Sequence, residues 1–87
     1  MFSYILRLHA PTDTQSDEFF RRFKQTPGLH HAYNLQGVED AEDGVVVTIW
    51  DSRDAAEAYL QKSELRKDVD KAYPAITRTM YNVRDSK

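Results

Sequence analysis

The chain has 87 residues, no cysteine, and a formal net charge of -2 from 12 basic and 14 acidic residues. This length fits one domain over residues 1–87, and the lack of cysteine excludes disulfides and thiolate metal sites. A chain this short buries only about 60–65% of the surface that its unfolded form exposes, so we expect a partner subunit to add stability. Interspersed charges without a basic stripe argue against a nucleic-acid partner.

The hydrophobic pattern gives no sign of a membrane segment. No apolar run approaches the roughly 20 residues that a membrane span requires. Residues 1–7 also lack the charged lead and the small-residue cleavage site of a signal peptide. The sequence therefore predicts a cytoplasmic protein without a membrane partner.

The first predicted element is a strand over residues 2–9, because apolar side chains alternate along it. Its apolar face carries Tyr4, Leu6 and Leu8, whereas Arg7 and His9 lie on the opposite face. This face division is typical of a strand with one side in the core.

A helix is predicted next, ending at about residue 25, with Pro11 and candidate N-caps in the polar run 12–14 before it. Three aromatic residues at helical spacing predict its buried stripe, namely Phe19, Phe20 and Phe23. The Thr-Pro-Gly sequence at residues 26–28 ends the helix.

Two strands and an acidic turn occupy the middle of the chain. The second strand is predicted at about residues 29–38, with weak alternation and many polar side chains. The acidic turn 39–44 leads to the clearest strand, residues 45–50, whose β-branched run is typical of a strand covered on both faces.

The remaining residues predict two helical segments and a strand. Asp51 or Ser52 caps a helix that extends to about Lys62. Its inner face carries Ala55, Ala56, Tyr59 and Leu60. A turn or helix follows at residues 65–73, and the last strand covers residues 75–83.

This element order, βαββαβ, predicts a ferredoxin-like α+β fold with an antiparallel sheet and helices on one face. Because the third strand is apolar on both sides, the face without helices needs another surface against it. A second copy of the chain is the simplest candidate, so the sequence predicts a homodimer.

Residues 27–29 and 44–60 resemble the antibiotic biosynthesis monooxygenase family of dimeric α/β barrels. In that family a strand ends in a tryptophan, here Trp50, and a capped turn leads into a helix with an inward aromatic residue. The resemblance spans about residues 2–83 and implies a dimeric α/β barrel. Family members oxidise polyketide-like anthrones without a cofactor, degrade haem, or act on small quinones and aldehydes.

Two departures from the family pattern concern the reaction. The haem-degrading members use an asparagine in the first strand and a histidine after the second helix. Residues 2–9 contain no asparagine and residues 65–73 no histidine, so we expect no haem degradation. The anthrone oxygenases pair their tryptophan with an asparagine earlier on the same strand, where this chain has Val46.

Six residues are candidates for a site. The resemblance implies that Trp50 forms a pocket wall, and a core anchor is the alternative. Arg7 would bind a substrate oxyanion or pair with an acid, and Tyr59 would offer a hydroxyl or only pack. The candidate bases are His31 and His9. Tyr33 shares a strand face with His31, whereas His30 is predicted on the other face.

The leading hypothesis is a small-molecule monooxygenase-like enzyme that acts on an aromatic or quinone-like substrate without a metal or any other cofactor. The substrate would lie between the sheet and the helices, against Trp50, and a base would form the carbanion that reacts with oxygen. The alternative is a non-catalytic dimeric domain that binds a ligand or takes part in a stress response.

Overall fold

A computed structural model describes residues 1–9 and 14–87. Pro11 and most of the candidate N-cap run lie outside the described residues. The elements are β1 (Phe2–His9), α1 (Thr14–Phe23), β2 (Leu29–Gln36), β3 (Asp43–Trp50), α2 (Arg53–Lys62), α3 (Glu64–Ala72) and β4 (Thr77–Asn82). None of the helices in this part of the chain is long and apolar enough to cross a bilayer.

The four strands form one antiparallel sheet in the order β2-β3-β1-β4. β1 and β3 are therefore central, which explains why these two strands have the most apolar sequences. The prediction of a ferredoxin-like α+β fold is confirmed. The predicted strand boundaries at 29–38 and 75–83 were too wide by one or two residues at their ends.

The core lies between the sheet and the helices. Along β1 the alternate residues Phe2, Tyr4, Leu6 and Leu8 are buried, as their alternation predicts. Trp50 of β3 and five helix residues complete the hydrophobic core, the latter being Phe23, Ala56, Tyr59, Leu65 and Val69. Among the described residues, the largest fully buried side chains are Trp50, Tyr4 and Thr48.

The segment after α2 is a separate helix, and one serine explains the break. Ser63 ends α2 by donating its backbone N–H to the Tyr59 carbonyl over 3.2 Å. Its hydroxyl accepts a 3.3 Å hydrogen bond from the Arg66 backbone N–H and so caps α3. The prediction of a turn or helix after α2 is thus settled as α3, and the cap on α2 is Ser52.

The turn between α1 and β2 approaches α2 at Gly28. Its φ of 83° lies in the left-handed region that favours glycine. A Cβ atom at this position would lie 2.6 Å from the Ala55 Cβ atom. The Gly28 carbonyl accepts a 3.0 Å hydrogen bond from the Asp51 N–H, which ties this turn to the end of β3.

None of the three described helices packs against the opposite face of the sheet. Its centre consists of the half-buried apolar residues Ile5, Val45, Val47 and Ile49. At its sides lie the exposed residues Tyr33, Leu35 and Tyr81. We call this surface the helix-free face.

Candidate active site between the sheet and the helices

Trp50 is an internal anchor at the end of β3. Its Nε1 donates a 2.9 Å hydrogen bond to Thr48 Oγ1, and that hydroxyl donates to the Tyr4 carbonyl oxygen. The indole packs against Phe23 and Tyr59, with ring centroids 5.9 and 5.6 Å away. Because Trp50 is fully buried, has its N–H hydrogen-bonded and does not line the cavity described below, it is a core residue.

A small cavity of about 40 Å³ lies between the sheet and the helices. Most of its lining is apolar, with aromatic side chains from α1 forming one wall. The lining residues are Leu6, Leu8, Ser16, Phe19, Phe20, Phe23, Asn34, Val46, Tyr59, Val69 and Tyr73. The lining thus contains four polar residues and no carboxylate, imidazole or cationic group among the described residues.

Three lining residues of this cavity, Asn34, Val46 and Leu6, belong to one row across the sheet that ends at Arg78. Asn34 pairs with Val46, Val46 with Leu6, and Leu6 with Arg78. Adjacent strands lie about 4.8 Å apart, so the row spans about 14 Å. Two apolar side chains therefore lie between a polar amide at the β2 end and a guanidinium at the β4 end. We call it the floor row.

A polar cluster adjoins the β4 end of the floor row. Arg78 donates to Asp70 on α3, and Arg66 Nε lies 3.4 Å from Asp70 Oδ2. The Arg66 guanidinium also donates to the Leu60 carbonyl over 2.9 Å. The rings of Tyr4 and Tyr59 pack edge to face beside this cluster, 6.4 Å apart. The two phenols and three charged groups form the Tyr–Arg cluster.

Both phenols of this cluster are held in the neutral form. Burial raises the pKa of Tyr4 to about 12, and the nearby Arg78 and Arg66 only partly oppose this rise. Burial likewise raises the pKa of Tyr59, with the neighbouring Tyr4 adding to the effect. At neutral pH each hydroxyl is therefore a hydrogen-bond donor rather than a base.

Four of the six predicted site residues lie on the other side of the sheet. Arg7, His9, His31 and Tyr33 all belong to the helix-free face. The Arg7 guanidinium donates from Nε and Nη2 to the Asp43 carboxylate, at 3.0 Å each. This ion pair raises the pKa of Arg7 and matches the alternative of pairing with an acid.

The prediction that His30 and His31 point to opposite faces was wrong. Their ring centroids lie 4.5 Å apart, since an irregularity in the β2–β3 register falls between Leu29 and His31. His30 Nδ1 lies 3.4 Å from Asp51 Oδ1, whereas His31 stacks on Tyr33 at 6.3 Å. Within the described residues no group of three or more His, Asp or Glu side chains could hold a metal ion.

Of the predicted site residues, Trp50 and Tyr59 therefore meet between the sheet and the helices, whereas His31 and Tyr33 meet on the helix-free face. A single ligand between the sheet and the helices cannot contact His31 or His9 of the same chain, because the sheet lies in between. Sequence reasoning missed Asn34 and Arg78 as partners in one row. The strand register identifies them. Asn34 lies on the same face of β2 as Ala32, whereas His31 lies on the opposite face.

Comparisons with known proteins agree on the fold. No family model and no curated protein sequence matches the chain. Among solved structures, SnoaB, a cofactor-independent oxygenase from Streptomyces nogalater, has a TM-score of 0.77 and 16% identity, covering 98% of this chain and 94% of that one. A protein named antibiotic biosynthesis monooxygenase has a TM-score of 0.71 and 12% identity over 98% of this chain and all of its own.

A third structure is a MhuD variant with two manganese protoporphyrin IX molecules bound per active site. It has a TM-score of 0.66 and 18% identity, covering 100% of this chain and 98% of that one. The chain has the antibiotic biosynthesis monooxygenase fold. At such low sequence identity the structural similarity establishes the fold only. The reaction has to be inferred from the residues of the site.

Proposed function

We propose that the chain is a small-molecule monooxygenase that acts on a flat aromatic or quinone-precursor substrate without a metal cofactor. The observation that carries this proposal is the apolar cavity, which is lined by Asn34 at its β2 end and by Tyr59, whose hydroxyl is buried without a hydrogen-bond partner among the described residues. SnoaB, a cofactor-independent oxygenase, shares the fold and supports the assignment.

The reaction fits a site that stabilises an oxyanion. A substrate methylene beside a carbonyl loses a proton to solvent and becomes an enolate, whose electrons reduce dioxygen. Recombination gives a hydroperoxide that loses water, so CH2 + O2 becomes C=O + H2O. Because the raised pKa of Tyr59 keeps its phenol protonated, it donates a hydrogen bond to the enolate oxygen.

The cavity must widen to admit such a substrate, since about 40 Å³ holds roughly one water molecule. Phe19 and Phe20 are only half-buried on the α1 wall, so their side chains can turn outward. Aromatic walls then sandwich the flat substrate, with the floor row beneath it.

A catalytic role for His31 or His9 is a separate proposal. Because both lie on the helix-free face, it requires a substrate bound on that face instead of in the cavity. We therefore assign oxyanion stabilisation to Tyr59 and leave proton removal to solvent. This choice limits the substrate to molecules whose C–H bond is already acidic.

Oxygen uptake tests the proposal. We expect the protein to consume oxygen with an anthrone or a hydroquinone, and Tyr59→Phe to slow this reaction by about tenfold or more because one oxyanion donor is lost. Tyr81→Phe removes an exposed hydroxyl on the helix-free face and serves as the matched control. Uptake that is equal in all three proteins and in buffer contradicts an oxygenase activity.

A non-catalytic ligand-binding domain is the second candidate. It is favoured by the described cavity lining, which contains no carboxylate or imidazole that could act as a general base. The two candidates differ in one measurement, since a binding domain holds the aromatic molecule without consuming oxygen.

For either function we propose a homodimer that covers the helix-free face.

A further inference from the structure

Four buried nitrogen and oxygen atoms of the Tyr–Arg cluster have no hydrogen-bond partner among the described residues. They are Tyr4 Oη, Tyr59 Oη, Arg66 Nε and Arg78 Nε. Every one of them can donate a hydrogen. Arg66 Nε still faces the Asp70 carboxylate at 3.4 Å, and Tyr4 interacts with Arg78, so Tyr59 Oη and Arg78 Nε are the two donors that most need another acceptor.

The charges of the cluster also lack a counterpart. Arg66 and Arg78 share a single carboxylate, Asp70, which leaves one net positive charge. The Arg78 side chain is only 19% exposed, so water compensates little of that charge. A partly buried cation of this kind is stabilised by an anion within hydrogen-bond reach.

The missing acceptor would lie at one end of the cavity. Tyr59 lines the cavity, and Arg78 is the strand neighbour of the lining residue Leu6. The unpaired donors therefore stand at the β4 end of the floor row, opposite the uncharged Asn34 amide. A ligand along this row meets a cationic end and a neutral end.

We propose that the cavity takes a flat aromatic molecule with one negatively charged oxygen, and that Arg78 and Tyr59 bind this oxygen. The proposal rests on the proposed function in that it uses the same cavity. It narrows the ligands to enolates, phenolates and carboxylates with a single charge. A phosphate dianion fits less well, because the cluster offers only one net positive charge.

A matched pair of probes separates charge from shape. 2-Naphthoate and 2-naphthamide have nearly the same size and outline, but only the first is an anion at neutral pH. Isothermal titration calorimetry of the full chain measures both affinities. We expect naphthoate to bind about tenfold or more tightly, as a charge-assisted hydrogen bond in a partly buried site implies.

Variants assign the preference to its residue. Arg78→Met keeps the apolar stem and leaves Asp70 paired with Arg66, so the naphthoate preference falls to about twofold or less while naphthamide binding changes little. Arg78→Lys keeps the charge and retains part of the preference. Arg7→Met, on the helix-free face of β1, is the control and leaves both affinities unchanged.

Tyr59→Phe is an independent variant if Arg78→Met fails to fold. It removes only an unpaired hydroxyl, so the fold persists and naphthoate affinity drops several-fold. Equal binding of the two probes to the unaltered protein overturns the anion preference and leaves the cavity proposal intact. Failure of both probes to bind overturns the cavity proposal itself. Equal loss of both in Arg78→Met shows that Arg78 only supports the fold.

Discussion

Asn34 on β2 stands directly opposite Val46 on β3, and both line the same cavity. The resemblance to the anthrone oxygenases implies an asparagine at the position of Val46. The structure supplies the amide from the neighbouring strand, about 5 Å away across the sheet. The cavity therefore keeps an amide although the expected strand lacks one.

Asn34→Ala tests whether this amide serves the substrate. We expect oxygen uptake with an anthrone to fall by about tenfold, because the substrate loses one of its polar contacts, while stability changes by about 0.5 kcal/mol or less at this exposed site. The measurement is the initial rate of oxygen consumption, with thermal melting as the check on folding.

A strand-exchange variant provides the control. Asn34→Val combined with Val46→Asn moves the amide to the neighbouring strand and keeps the composition of the cavity. We expect it to recover part of the activity that Asn34→Ala loses. If the single substitution leaves the rate unchanged, the amide plays no part in the reaction.

Trp50→Phe should affect stability and leave ligand binding unchanged. The substitution removes a hydrogen bond to Thr48 and leaves space beside Phe23, so we expect a cost on the order of 1–2 kcal/mol. Denaturant unfolding followed by circular dichroism gives the cost, because Trp50 is the only tryptophan. A changed affinity for 2-naphthamide in the folded variant would instead make Trp50 a pocket wall.

The two buried phenols predict a loss of stability at high pH. An unfolded tyrosine ionises near pH 10, whereas Tyr4 ionises near 12 in the fold. Between these pH values the unfolded chain binds fewer protons than the folded protein. The free energy of unfolding therefore falls as pH rises, by about 1.4 kcal/mol per pH unit for each phenol. Below pH 10 both phenols stay protonated in the folded and the unfolded chain, so this loss of stability does not occur there.

Urea unfolding between pH 9 and pH 12 measures this slope. Tyr4→Phe and Tyr59→Phe should each flatten it, because each removes one group whose pKa is raised on folding. Tyr33→Phe and Tyr81→Phe are the controls, since both side chains are about half exposed in the single chain and lie outside the Tyr–Arg cluster. A slope that survives Tyr4→Phe and Tyr59→Phe together must come from other groups.

Much of the fold could be predicted from local sequence, because the spacing of apolar residues within each segment indicates whether it forms a strand or a helix. The alternation in β1 predicted its buried face, and the β-branched run predicted β3 as a strand covered on both sides. The sequence offered Asp51 or Ser52 as the cap of α2, and the structure has Ser52. The resemblance pointed to Trp50, and helical spacing placed Tyr59 on the inner face of α2. These features depend on residues within one turn or one strand.

The site depends on long-range register, which local patterns do not contain. The floor row joins chain positions 34, 46, 6 and 78, and its members meet only once three strand pairs are aligned. Both faces of β2 carry polar side chains, so its sequence does not show which face meets the core. His31 and Tyr33 were therefore predicted as site residues, although Asn34 is the residue that lines the cavity. The irregularity next to His30 shifted its ring toward His31, against simple alternation.

Gly28→Ala should destabilise the chain through the contact with α2. The new methyl group would lie 2.6 Å from Ala55 Cβ, and alanine is strained at a φ of 83°. We expect a cost of about 1–3 kcal/mol in urea unfolding. Adding Ala55→Gly removes the clash and keeps the strain, so the pair should show positive coupling in a double-mutant cycle. Additive costs would show that only the backbone angle matters.

The helix-free face predicts a homodimer that one charge can dissociate. Val47 lies at the centre of this face, paired with Ile5 on one side and Tyr33 on the other. We expect the unaltered chain to sediment at twice its 10.1 kDa mass at micromolar concentration, because association removes this apolar surface from water. Val47→Lys buries an unpaired ammonium group in that interface and should yield a folded monomer. Val38→Lys introduces the same charge at a fully exposed position after β2 and should stay dimeric. A mass of 10.1 kDa for the unaltered chain would mean that the face remains open or binds a different partner.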